Sequence, residues 1–390
     1  MLKLEKKIMD IFKRKYILVF MIIITIIALL ARIAFIKFQS DDYIYYLSPW
    51  FNDLLAKGGL PGLATYIGNY NAPYMTIMAF LTYIPLSSLF TIKAVSIIFD
   101  FVLAISASRL VTLLVKKNKK IYSLITYSIV LFMPQVILNS AMWGQCDSIY
   151  ASFSIIALIL LLKEKYWQSF VFLGLAFAFK LQFIFILPVF IIIYVCKNKF
   201  SILHFLIIPA VNIIMCLPAI IMGKPILDIL KVYFNQTSIS TALVRNYPNI
   251  YNLLAKDIYS FKYFGILATV VIFAMMLFYF IYKKVNWNKD KIIVLSLLVL
   301  VIISYILPGI HERYIYVGEI LSIVYYLVYR KNLPLVIMVN LNAILTYSIY
   351  LTGYETNLIP ILSIVYGVIV IYFVINTLNY ICDSREVVNE

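Results

Sequence analysis

The sequence predicts an all-α fold, a polytopic transmembrane helical bundle, and three observations carry that prediction. Of 390 residues, 64% are hydrophobic and 13% charged, against roughly 45–50% apolar and about 25% charged in soluble domains. Apolar runs of about 18 residues or more, enough for a hydrocarbon core about 30 Å thick, recur from Tyr16 to Ile381. The net charge of +16 is concentrated in short clusters between those runs. Positive-inside topology accounts for such clusters, so no nucleic-acid partner is expected. Residues 1–390 read as a single integral membrane domain of about 11–13 membrane helices. Membrane lipids are its surroundings, and the chain is expected in the cell membrane as a multi-pass protein. The four cysteines have no metal-ligand spacing.

Each element follows from apolar length and flanking charge. Six basic residues precede a first helix at about 16–37, retained because Tyr16 to Ala34 is too long for a signal-peptide core and lacks a cleavage pattern. Residues 38–91 form a first outer loop with an interfacial helix; a full span at Pro73 to Phe90 would put Lys116 to Lys120 on the wrong side. Helices follow at 92–115, 121–142 and 149–162. Lys180, Gln182 and Pro188 break the next stretch into a hairpin, 166–179 and 182–196. A helix ending at 222 leads to a second outer loop, 223–262, and further helices lie at 263–282, 292–308, 315–329, 333–352 and 359–380. Both termini then fall on the cytoplasmic side, and the two long loops, of roughly 40–50 residues each, on the other.

Polar residues at that outer side are the candidates for chemistry. Asp41 and Asp42 stand just past the first helix, where a carboxylate can act as a general base; they also read as a helix cap with Tyr43, Tyr46 and Trp50 as interface anchors. Trp143, Gln145 and Asp147 close the next outer turn and could bind sugar hydroxyls, or Asp147 could simply cap its helix. Lys180 at the hairpin tip is a costly cation whose partner is a phosphate or a neighbouring acid such as Asp100. Asp100 and Glu319 are expected to be paired within the membrane. His311, Glu312, Arg313 and Tyr314 follow a Pro-Gly turn, and Arg313 can hold a phosphate through two parallel bonds. Asn249, in the second loop, is placed to shape a pocket wall.

Read in order, DDYIYYLSPWFNDLLAKGG, NYNAPYMTIMAFL, IKAVSIIFDF, WGQCDSIYA, GLAFAFKLQFIFILP, NYPNIYNLL and GIHERYIY resemble the bacterial GT-C glycosyltransferases related to GPI mannosyltransferase II, from about Asp41 to Glu319. The resemblance implies transfer of a sugar from a polyprenyl-phosphate donor to an extracytoplasmic glycan or lipid-linked acceptor in cell-envelope glycan assembly. It implies Asp42 as catalytic base with Asp41 as the second choice, Arg313 and His311 on the donor phosphate, and Lys180 and Gln182 lining the same pocket. No cofactor is required on this reading, and the acid pair leaves a divalent cation open. A lipid-linked glycan transporter or flippase and a glycan polymerase or ligase are the competing readings; clustering of the polar signals at one surface favours an enzyme over a transporter.

Overall fold

The computed structural model describes residues 3–238, 242–254, 258–354 and 356–383. The helices are α1 (Lys3–Ile33), α2 (Ser48–Ala56), α3 (Ala72–Leu81), α4 (Ser88–Leu114), α5 (Lys119–Phe132), α6 (Pro134–Ile137), α7 (Asp147–Leu162) and α8 (Tyr166–Phe179). They continue with α9 (Leu187–Lys197), α10 (Ile207–Ile221), α11 (Ile226–Ser238), α12 (Ile258–Tyr282), α13 (Lys289–Ile306), α14 (Tyr316–Tyr329), α15 (Leu333–Thr352) and α16 (Leu358–Cys382). The described strands are two short parallel partners, β1 (Val244–Arg245) and β2 (Ile310–His311), in one two-stranded sheet.

The fold is an all-α polytopic bundle, but full-length spans are fewer than the expected 11–13. Six described helices are long and apolar enough to cross a membrane, seven if α5 and the segment Pro134–Trp143, bent by 57°, count as one. The remaining apolar helices α7, α8 and α14 and the segment Leu181–Lys197 fall among those of 10–17 residues. Packing supplies the reason. Helix α7 is buried on nearly every face, and a helix wrapped in protein need not reach both head-group layers by itself.

The bend at Pro134 has an ordinary cause, since proline removes a backbone donor and clashes with the preceding turn. The expected helix 121–142 is accordingly α5, then α6, then a π-helical turn Leu138–Trp143. The first long segment is not a loop with one helix. It contains a π-helical turn Tyr43–Leu47, α2, a 3-10 turn Leu60–Ala64 and α3. The later part of 38–91 is packed into the protein: α3 buries Pro73, Tyr74, Met75, Met78 and Ala79 in the core. The second long segment is likewise partly helical, carrying α11, and is tied back through β1 to β2.

Contacts sort the helix ends into two sets. At one end Ser40 Oγ donates to the Trp143 carbonyl (2.7 Å), the Tyr43 and Ser88 hydroxyls meet (2.8 Å), and Lys224 reaches the Tyr66 carbonyl (3.1 Å). At the other, Lys197 pairs with Glu164 (2.9 Å), Tyr329 donates to Asp290 (2.8 Å), Lys291 donates to the Asp383 carbonyl (3.0 Å), and Arg330 lies 5.9 Å over the Tyr122 ring. The short basic connectors thus gather at the second end, and both long segments at the first.

Candidate active site

The exit of α1 is held by a residue not among the sequence candidates, Lys93 of α4. Its buried ammonium donates to the carbonyls of Phe35, Ile36 and Phe38 at 3.0, 3.3 and 2.6 Å. Three acceptors satisfy the three donors of an ammonium, which removes the main cost of burying it. The chain then turns at Ser40, whose hydroxyl also accepts from Tyr43 N at 3.2 Å. Asp42 is thereby set facing Trp143.

Asp42 is an acceptor for three neutral donors. Trp143 Nε1 donates to Oδ2 at 2.8 Å, Gln145 Nε2 donates to the same oxygen, and the Tyr350 hydroxyl donates to Oδ1 at 2.7 Å. A carboxylate offers about four lone-pair sites, so one remains, on Oδ1. The Trp143 and Tyr350 rings stack at 4.3 Å and keep both donors in register. Gly144, at φ +80°, supplies the left-handed residue that ends the π-helical turn and lets Gln145 follow Trp143 into the site.

Gln145 is the hub. Its Oε1 accepts from the Tyr70 hydroxyl (2.7 Å), from Arg313 Nη1, and from Lys180 Nζ at 3.5 Å. Beneath it Lys180 pairs with Asp147 at 2.7 Å, and Asn139 Nδ2 donates to the other Asp147 oxygen at 2.8 Å. Lys180 therefore does not pair with Asp100 as its sequence position allowed. Asp100 is taken by Arg32 of α1 at 2.8 Å and by Ser140. The expected partner of Glu319 is not found: among the described residues both of its buried carboxyl oxygens lack a hydrogen bond.

Arg313 closes the site from the α13–α14 turn. Its guanidinium stands 5.3 Å over the Trp143 ring, 4.0 Å from Asp42 Oδ2 and 3.8 Å from Asp147 Oδ2. Burial works against its charge, yet Tyr70, Asp147 and Asp42 outweigh that and hold its proton well above the ordinary range. Two carboxylates and two cations thus share one network. Depth divides them: the side chains of Asp42 and Arg313 are 17% and 19% exposed, those of Asp147 and Lys180 1% and 6%. Asp42 and Arg313 can meet a ligand, whereas Asp147 and Lys180 form the floor that positions them.

The other candidates separate. Asp41 is exposed, and no hydrogen bond among the described residues joins it to this network. Trp50 is buried between Tyr46 and Tyr70, with ring centroids at 5.9 and 5.2 Å, and forms a wall behind the hub. His311 stacks on Tyr314 at 4.7 Å, and burial together with Arg313 and Arg245 pushes its pKa down to about 4. It is a neutral imidazole near neutral pH and not a second cation for a phosphate. Glu312 is buried, which raises its pKa. Gln182 is half-buried on the 3-10 turn Leu181–Phe185, and no hydrogen bond among the described residues joins it to the hub. Asn249 is structural. Its amide donates to the carbonyls of Ser304 and Leu307 at 2.9 and 3.1 Å, fastening the second long segment to α13.

Among the described residues no three His, Cys, Asp or Glu side chains gather in a way that could hold a metal ion. No protein-family model matches the chain, and no curated protein matches it. Tyr70, Asn139 and Tyr350 are site residues that sequence reasoning did not reach. A tyrosine among 32 tyrosines carries no signal of its own, and Tyr350 lies beyond Glu319, where the motif resemblance ends.

Proposed function

We propose that the chain is a membrane glycosyltransferase that moves a sugar from a polyprenyl-phosphate donor to an extracytoplasmic acceptor. The observation that carries this reading is the meeting of Asp42 and Arg313, an acid and a cation 4.0 Å apart and both partly open, at the end of the bundle opposite its basic connectors. By the positive-inside rule those connectors are cytoplasmic, which puts the site and both long segments outside and both termini inside.

The chemistry needs a base on one side of the sugar and charge stabilisation on the other. Asp42 Oδ1, with one lone pair left, accepts the proton of the acceptor hydroxyl as its oxygen bonds to the anomeric carbon. The bond from that carbon to the phosphate oxygen breaks, and the electron pair leaves with the polyprenyl phosphate. Arg313 faces the charge that develops there, and its planar fork suits two phosphate oxygens. Lys180 and Asp147 contribute by fixing Gln145 and Arg313. The donor's prenyl chain stays in the bilayer, so its phosphate arrives at the depth of these helix ends.

Purified protein incubated with a panel of polyprenyl-phosphate sugars is the direct test. One donor loses its sugar with wild-type protein, and Asp42→Asn lowers turnover at least a hundredfold while insertion and yield are unchanged. Wild-type turnover in that variant defeats the assignment. A transporter of lipid-linked glycans draws support from the unbonded buried oxygens of Glu319 and the unbonded amide of Asn342; movement of an intact lipid-linked glycan across vesicles, with no sugar released from any donor, is the result that favours it.

A further inference from the structure

We propose that a cleft between α13, α14 and α16, at the basic end of the molecule, binds an anionic phospholipid, with the lipid phosphate against Lys331 and its acyl chains along α16. The cleft holds about 410 Å³, room for a phosphoglycerol head group and well beyond a few waters. Its wall is mixed. Asn332, Asn376, Thr377 and Tyr380 present donors and acceptors to it, and Lys331 stands at its rim with Nζ 5.9 Å over the Tyr380 ring.

The cleft opens sideways, toward lipid. Tyr372, one of its lining residues, is 64% exposed, and Val368, Ile371 and Ile375 lie exposed beside it on α16. A soluble anion would gain nothing from that apolar flank, whereas acyl chains are buried by it. Charge selects the head group. Lys331 is the charged residue that lines the cleft; Lys289 and Lys291 begin α13, Arg330 follows α14, and the acids at the same helix ends are Asp290 and Asp383. Of these, Asp290 accepts from the Tyr329 hydroxyl at 2.8 Å, and Lys291 donates to the Asp383 backbone carbonyl at 3.0 Å. Basic pockets between membrane helices on one leaflet are suited to phosphate-bearing lipids. The site lies at the far end from Asp42, so its occupancy is independent of the reaction proposed there.

The test uses the full chain, reconstituted in bilayers of phosphatidylglycerol and phosphatidylcholine with matched acyl chains, then extracted mildly and weighed by native mass spectrometry. Wild-type protein retains phosphatidylglycerol in preference to phosphatidylcholine, and Lys331→Gln lowers that retention roughly fivefold, the weight of one cation near an anionic lipid. Because Lys331 is exposed, its substitution leaves the fold intact. Asn376→Leu, which makes the wall apolar without altering charge, lowers retention as well. Equal retention of the two lipids, unchanged retention in both variants, or thermal stabilisation by inorganic phosphate equal to that by phosphatidylglycerol each overturns the proposal.

Discussion

Asp42 illustrates how a residue acquires a role from what surrounds it. Two adjacent aspartates follow the first helix, and their neighbours in sequence do not separate them; Asp41 is exposed, while Asp42 receives Trp143, Gln145 and Tyr350. The same contrast holds for the two cations first assigned to a phosphate. Arg313 keeps its proton, whereas His311 is neutral because burial and two neighbouring arginines disfavour its charge. The sign of the pH effect follows. A histidine whose folded pKa is depressed contributes nothing against the fold above its ordinary 6.5, and stability is lost as the pH falls from there toward about 4, because the unfolded chain takes up the proton first. Thermal midpoints in detergent should therefore drop over that window, and His311→Gln should drop less than wild type. Parallel curves for the two proteins would show that another group sets the slope.

Helices place these residues, and the devices that hold the helices are polar. Helix α1 meets α4 through a fully buried pair, Arg32 with Asp100 at 2.8 Å, and Arg32 also returns a bond to the Ala28 carbonyl at 3.0 Å. Removing one partner of such a pair leaves a lone buried charge, at about 3–5 kcal/mol. Arg32→Met should lower unfolding stability by that order, and the double change with Asp100→Leu should lower it less; a double variant no better than the single would show that the pair is not coupled in this way. Two π-helical turns border the site, Tyr43–Leu47 after Asp42 and Leu138–Trp143 before Gly144. Such turns shift the register of the side chains that follow, and they are frequent at functional positions. The sequence reading ran one helix through 121–142, across Pro134, and the π-helical turn that follows was not legible either, since no local residue pattern requires an extra residue per turn.

At the scale of the whole molecule, charge separates the two ends. The connectors at one end are short and lysine-rich; the segments at the other are long, folded and tied together by β1 and β2. On a background lacking the native cysteines, Thr65→Cys, in an exposed turn of the first long segment, should react with an impermeant thiol reagent from outside intact cells. Lys117→Cys, exposed in a basic connector, should react only after the membrane is opened. The opposite labelling pattern would invert the proposed orientation and place the site in the cytoplasm.

The sequence by itself determined the helical, membrane-embedded class, since apolar length and the spacing of basic clusters are local properties that need no partner to be read. It also brought Asp42, Trp143, Gln145, Asp147, Lys180 and Arg313 into view, because polar residues among apolar helix ends stand out against their neighbours. Tertiary structure alone decided which of these are open and which form the floor, that Asp100 belongs to Arg32, that α3 is core, and that Asn249 is a fastening. Those outcomes depend on contacts between residues far apart in the chain, such as Asp42 with Tyr350, where the energy lies in desolvation and pairing and no periodicity records it.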